Sequence, residues 1–307
     1  MQTSRRTVLG GMLGTAVIGF IPGCSSQSAP AAVADTSYPW PMGTQLFSVI
    51  RDLAEDFEGT LAKVAELGFE RVESAGFMDR SPEDFRKAVE AVGLRCDSAH
   101  VPMVQLSEDI PGMVSQVRDA GCEMLIVASP RTPDAMTPGP DWLSRLIAAM
   151  TVDAWKQNAE WLNQAAEEAS RAGIALGYHN HSAEFALYDG QAGYDILLTE
   201  TDPEKVKLEL DVAWAAAGGA DPIALLQQNA GRVVRLHLKD LVQKPTPGQL
   251  NTDFSTSPLG TGVIDWPPII AAAKEAGVGG AYVEVEMSEE GSHFDLLAKS
   301  RDYLKSL

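Results

Sequence analysis

One cadence constrains this chain more than any other feature. An amphipathic helix ends at a glycine, and a short apolar run follows at once. It occurs at Glu66-Leu67-Gly68, Ala91-Val92-Gly93, Asp119-Ala120-Gly121, Arg171-Ala172-Gly173 and Glu275-Ala276-Gly277. Glycine is favoured just past a helix because that position is left-handed. Helix, glycine and strand repeating in this order predict parallel β/α units. The spacing predicts strands at 44–49, 70–74, 94–99, 123–128, 174–180, 206–211, 232–238 and 280–286, with helices between them and after the last.

Eight such units are what a closed (β/α)8 barrel of about 250 residues needs. The chief rival, a doubly wound open sheet, requires a glycine-rich phosphate loop after its first strand. Thr44-Gln45-Leu46-Phe47-Ser48 is followed by no such loop. Two irregular insertions, 129–141 and 241–262, both follow strands. In a barrel that position places them at the catalytic face, over a substrate.

The late strands end in residues that carry chemistry. The fifth ends in Tyr178-His179-Asn180-His181 with Glu184 close behind, and the sixth in Glu209-Leu210-Asp211 ahead of Trp214. The seventh ends in His237-Leu238-Lys239-Asp240 and the eighth in Glu284-Val285-Glu286. Four of the five histidines (100, 179, 181 and 237) fall on predicted strand ends. In a barrel these ends converge, and imidazole with carboxylate around an open position is how a catalytic divalent metal is held. Bland readings exist for each residue alone. Asp211 is also a good helix N-cap, Glu209 and Glu286 also suit an inward layer or a rim, Lys239 suits a solvated rim, and Glu73 suits a salt bridge.

The runs 178–185, Glu209-Leu210-Asp211-Val212-Ala213-Trp214, Gly218-Gly219-Ala220-Asp221-Pro222, 237–240 and Val283-Glu284 resemble the sugar phosphate isomerase/epimerase family. That family lies within the xylose-isomerase-like barrels. The resemblance extends over about 41–305 and includes 43–48 and Val72-Glu73. It implies one divalent ion (Mn, Mg, Zn or Co) held by carboxylates and a histidine from successive strands. Asp211, His237 and Glu284 match three of the ligands. His179 stands where many relatives carry Glu and is the expected fourth ligand, with His181 and Glu184 as the alternatives. The resemblance further implies proton transfer beside a carbonyl, with Glu284, His179 and Glu73 as acid or base candidates and Lys239 stabilising negative charge. His100, His181, Glu184 and Trp214 are then substrate contacts. The expected reaction is isomerisation or epimerisation of a non-phosphorylated sugar. The alternative is β-elimination by a lyase or dehydratase on a 3-keto sugar or glycoside. A non-catalytic sugar-binding lipoprotein and an endonuclease are the weaker rivals.

The net charge of −18 argues against nucleic acid as a partner, because a phosphate backbone is repelled by such a surface. The amino terminus carries a different message. Ser4-Arg5-Arg6-Thr7-Val8-Leu9 resembles a twin-arginine export signal, and Ile21-Pro22-Gly23-Cys24 resembles a lipobox. These runs imply a signal over 1–24, a Ser/Ala/Pro-rich tether over 25–40 and a barrel domain over 41–307. The protein is then expected on the periplasmic side, touching the membrane only through a lipid on Cys24. Cys96 and Cys122 read as inert core thiols, with their pairing open. Nothing in the sequence decides whether the chain forms a homo-oligomer.

Overall fold

The computed structural model describes residues 35–136, 139, 141–252, 254–286 and 291–307. Eight parallel strands close into a barrel. They are β1 (Gly43–Gln45), β2 (Arg71–Ser74), β3 (Arg95–Val101), β4 (Met124–Val127), β5 (Ala175–His179), β6 (Val206–Asp211), β7 (Val233–Leu238) and β8 (Gly280–Val283). Each pairs with its neighbours in sequence, and β1 pairs with β8 to complete the ring. The sequence expectation of a (β/α)8 barrel therefore holds.

The helices begin and end where local chemistry dictates. Asp56, Ser81, Asp109 and Thr151 each accept a backbone N–H three residues on, which satisfies an orphan donor of the first turn. Gly68, Gly93, Gly121, Gly173 and Gly277 all have φ between 79° and 84°. A side chain there would strain the backbone, so the glycine that stops each helix is also what lets the chain turn into the next strand. The longest helix, Val152–Ala172, buries Trp155, Leu162 and a row of alanines against the barrel.

Two strands are shorter than their apolar runs predict. Leu46–Val49 forms a 3-10 turn and not strand, because Gln45 caps it by accepting from the Phe47 N–H. The eighth strand stops at Val283, so Glu284 and Glu286 lie on the segment that leaves the barrel. Described residues of both insertions, Ser129 from the first and Val242 and Phe254 from the second, line a cavity at the C-terminal rim. The second is tied down by a two-residue ribbon, Asp240–Leu241 against Thr256–Ser257.

At the opposite pole, packing is already engaged ahead of β1. Trp40 Nε1 donates to the Val278 carbonyl at 2.9 Å, and Tyr38 OH donates to the Ala281 carbonyl at 3.4 Å. Cys96 and Cys122 are free, buried and in contact, with their sulfurs 3.3 Å apart. The expected export signal, Cys24 and most of the expected tether lie outside the described residues. Among the described residues, no helix is long and apolar enough to cross a membrane.

Candidate active site

Because all eight strands run the same way, their last residues meet at one rim. There they floor a cavity of about 1330 Å³, whose lining includes His100, His179, His181, Trp214, Glu284 and Glu286. Trp142, Trp214, Phe254 and His181 form one aromatic wall in edge-to-face contacts. Phe254 comes from the second insertion and Trp142 opens the helix that follows the first, and neither carried a sequence signal that marked it.

Below the cavity lie two side-chain clusters that share His237. One joins Asp211, His237 and Glu284. His237 Nδ1 is 2.8 Å from Glu284 Oε2 and 3.9 Å from Asp211 Oδ2. The other joins His100, His179, Glu209 and His237. Glu209 Oε1 sits 2.9 Å from His100 Nε2, 3.1 Å from His179 Nδ1 and 3.1 Å from His237 Nε2. Three of the four expected ligands thus converge, and His179 belongs to the adjoining cluster. Glu209, quoted in the sequence only as a layer or rim residue, is the hub of that cluster.

Lys239 is 1% exposed. Its ammonium lies 3.0 Å from Asp211 Oδ2, 2.8 Å from Glu284 Oε2 and 2.8 Å from Glu286 Oε1. The solvated-rim reading of this lysine fails, because two buried carboxylates need a cation. Glu73 is likewise no surface ion pair. It is completely buried, and it receives Gln45 Nε2 at 2.7 Å, Ser98 Oγ and His237 Nε2 at 2.6 Å. It does not reach the cavity lining. Glu184 is also committed elsewhere: Tyr178 OH and the His181 N–H hold its two oxygens.

The charges follow from these contacts. Burial pushes Asp211 up to about 6, against the pull of Lys239. Burial also raises Glu184 to about 7. Burial would raise Glu284 as well, but Lys239 and His237 hold it well below the usual carboxylate range. His179 is pushed well down, and His181 down to about 3, chiefly by burial and then by neighbouring cations. Burial would lower His100 too, yet the charge on Glu73 and its hydrogen bonds raise it to about 9.

The donor set fits a divalent metal. Glu209 Oε2 is a buried oxygen that receives no hydrogen bond, and such orphans are rare without an ion or water, while Asp211 Oδ2 meets only the Lys239 ammonium. Four carboxylates (Glu73, Glu209, Asp211 and Glu284) are buried here, and the buried Lys239 ammonium meets only Asp211 and Glu284 among them. Oxygen and imidazole donors together suit a first-row divalent ion.

An eight-stranded parallel barrel with a buried cluster of imidazoles and carboxylates at its C-terminal mouth defines the class of fold to which the chain belongs. The chain belongs to the Xylose isomerase-like TIM barrel family, whose match covers residues 61–307. It is 28% identical over 268 residues to an inosose dehydratase of Geobacillus kaustophilus, covering 80% of this chain and 86% of the relative. Among solved structures it resembles a sugar phosphate isomerase/epimerase from Parabacteroides distasonis, at 26% identity and TM-score 0.70, covering 92% and 97% of the two chains. The IolI protein with a bound zinc atom shares the fold at 15% identity and TM-score 0.64, over 87% and 98% of the chains.

Proposed function

We propose that this protein is a metal-dependent dehydratase that removes water from a keto-sugar or keto-cyclitol by β-elimination. The observation that carries the reading is the Asp211, His237 and Glu284 cluster on the floor of a roomy, aromatic-walled cavity. The inosose dehydratase relatives favour elimination over the isomerisation or epimerisation that the sequence motifs put first. Both reactions begin with removal of a proton beside a carbonyl.

When bound, a divalent ion supplies Lewis-acid polarisation of the substrate carbonyl. Asp211, His237 and Glu284 would hold it. His179 and Glu284 both line the cavity and stand within reach of a carbon acid there. His100, gripped by Glu73 and Glu209 with one edge open to the cavity, is placed to return a proton to the departing hydroxyl. The aromatic wall excludes water and offers ring faces to an apolar sugar face.

Incubating the metal-loaded protein with an inosose in deuterated water tests the reaction. Elimination gives a product lighter by one water that absorbs as an unsaturated ketone. Deuterium incorporation without loss of water would instead establish epimerisation or isomerisation. No exchange and no product across a panel of keto-sugars and keto-cyclitols would leave a binding protein.

Export belongs to the same proposal, since the twin-arginine and lipobox-like runs point to a substrate met outside the cytoplasm. Cys24→Ser should move the protein from the membrane to the soluble periplasmic fraction. A mature amino terminus beyond residue 24, or an unchanged membrane fraction, would remove the anchor.

A further inference from the structure

We infer that Glu73 decides which of the two clusters takes the metal: it keeps a proton on Nε2 of His237 and leaves Nδ1 as the ligating nitrogen beside Asp211 and Glu284. The inference rests on the metal reading above, and goes beyond it by assigning a tautomer and a positioning residue.

An imidazole nitrogen cannot both donate a proton and ligate a metal. Nε2 of His237 lies 2.6 Å from Glu73 Oε1 and 3.1 Å from Glu209 Oε1. Two buried carboxylate oxygens on one side of the ring demand an N–H there. Glu73 cannot turn away, because Gln45 Nε2 donates to the same oxygen and Ser98 Oγ holds the other. All of these side chains are fully buried. Nδ1 therefore carries the lone pair when a metal is present, and it faces Glu284 Oε2 and Asp211 Oδ2.

The same argument removes the other cluster from competition. His237 meets Glu209 through Nε2, so it could serve there as a ligand only by giving up the proton that Glu73 holds. His100 spends Nε2 on Glu73 and Glu209, and His179 spends Nδ1 on Glu209. That cluster is a hydrogen-bonded scaffold, with ring N–H groups gathered on one carboxylate oxygen. It orients the ligands of its neighbour, as carboxylates behind metal-bound histidines do. The backbone is shaped for this. The strand register slips between Val72 and Glu73, and again between Leu208 and Glu209. Such irregularities re-aim side chains beside functional sites.

Asp211, His237 and Glu284 then provide three protein ligands, and the remaining coordination positions are left for substrate oxygens. Lys239 already holds a cation against two of these ligands. Metal loading must displace that ammonium, and Glu286 is the partner that can retain it.

Zinc affinity, measured by competition with a chromogenic chelator, tests the assignment. Asp211→Ala should lose zinc, His100→Ala should keep it, and Glu73→Gln should bind it about 10–100-fold more weakly. Because Glu73→Gln alters a buried network and its folding is at risk, a second measurement uses the unaltered protein. Loaded with an NMR-active cadmium isotope, it should show scalar coupling from the metal to Nδ1 of His237 and a retained proton on Nε2. Coupling through Nε2, or a folded Glu73→Gln with unchanged zinc affinity, overturns the inference. Loss of zinc in His100→Ala but not in Asp211→Ala also overturns it, by placing the ion in the other cluster. Full zinc binding by both variants would instead sink the metal reading itself.

Discussion

His237→Ala is expected to leave a folded barrel with little metal and almost no turnover. The side chain is completely buried and is the only residue common to both clusters. Its removal takes one of the three proposed metal ligands and one partner each from Glu73, Glu209 and Glu284. The loss should exceed the about 10–100-fold that accompanies removal of an orienting partner, because a direct ligand goes with it. Elemental analysis of the purified variant should find substoichiometric metal, and kcat/KM should fall by at least about a hundredfold on the same scale. Stability should fall too, since buried carboxylates left without partners cost about 3–5 kcal/mol. Circular dichroism is therefore recorded at the assay temperature. A folded variant with full metal content and full activity would show that the site is misplaced.

Asp240→Ala should give the largest purely structural effect. Asp240 is fully buried just beyond β7 and does not line the cavity. Its Oδ1 accepts the N–H groups of Leu241 and Ile264, both at 2.9 Å. Its Oδ2 accepts those of Gly260 at 3.1 Å, Gly262 at 3.2 Å and Trp266 Nε1 at 3.1 Å. One carboxylate thus gathers the far end of the insertion that carries Phe254. Gly262 is held so close that a Cβ there would lie 2.3 Å from Asp240 Oδ1. Hydrogen bonds to a charged group are worth about 1.5–3 kcal/mol each, so losing several together should cost at least about 3 kcal/mol. That corresponds to a fall in Tm of roughly 6 °C for a domain of this size. Asp240→Asn should recover part of the loss, because its carbonyl still accepts. Proteolysis of the folded variant should cut first within 242–262. An unchanged Tm and an unchanged cleavage pattern would refute this account.

The fold was legible because its signals are local. A cap acts within one helical turn, and a glycine with φ near 80° ends that turn whatever lies elsewhere in the chain. The five helix-glycine-strand junctions needed no knowledge of partners. The composition of the mouth was legible for a related reason. Parallel strands end at one rim, so polar residues at strand ends must share it, and the family resemblance then singled out Asp211, His237 and Glu284, which do lie together. Strand length was less legible, and the first and last strands proved shorter than their apolar runs.

What the tertiary structure alone decided is how these groups pair. Glu73 and His237 are 164 residues apart, and their 2.6 Å contact depends on β1, β2 and β3 presenting Gln45, Glu73 and Ser98 to one point. A slip of one residue in register reverses which face a side chain occupies, and such slips adjoin both Glu73 and Glu209. No window of sequence contains them. The same holds for Lys239, which composition assigns to solvent and the barrel encloses among Asp211, Glu284 and Glu286. Capping and helix termination are short-range and are written in consecutive residues. The charge balance of a buried cluster is a Coulomb sum over distant strands, and it exists only once the barrel has closed.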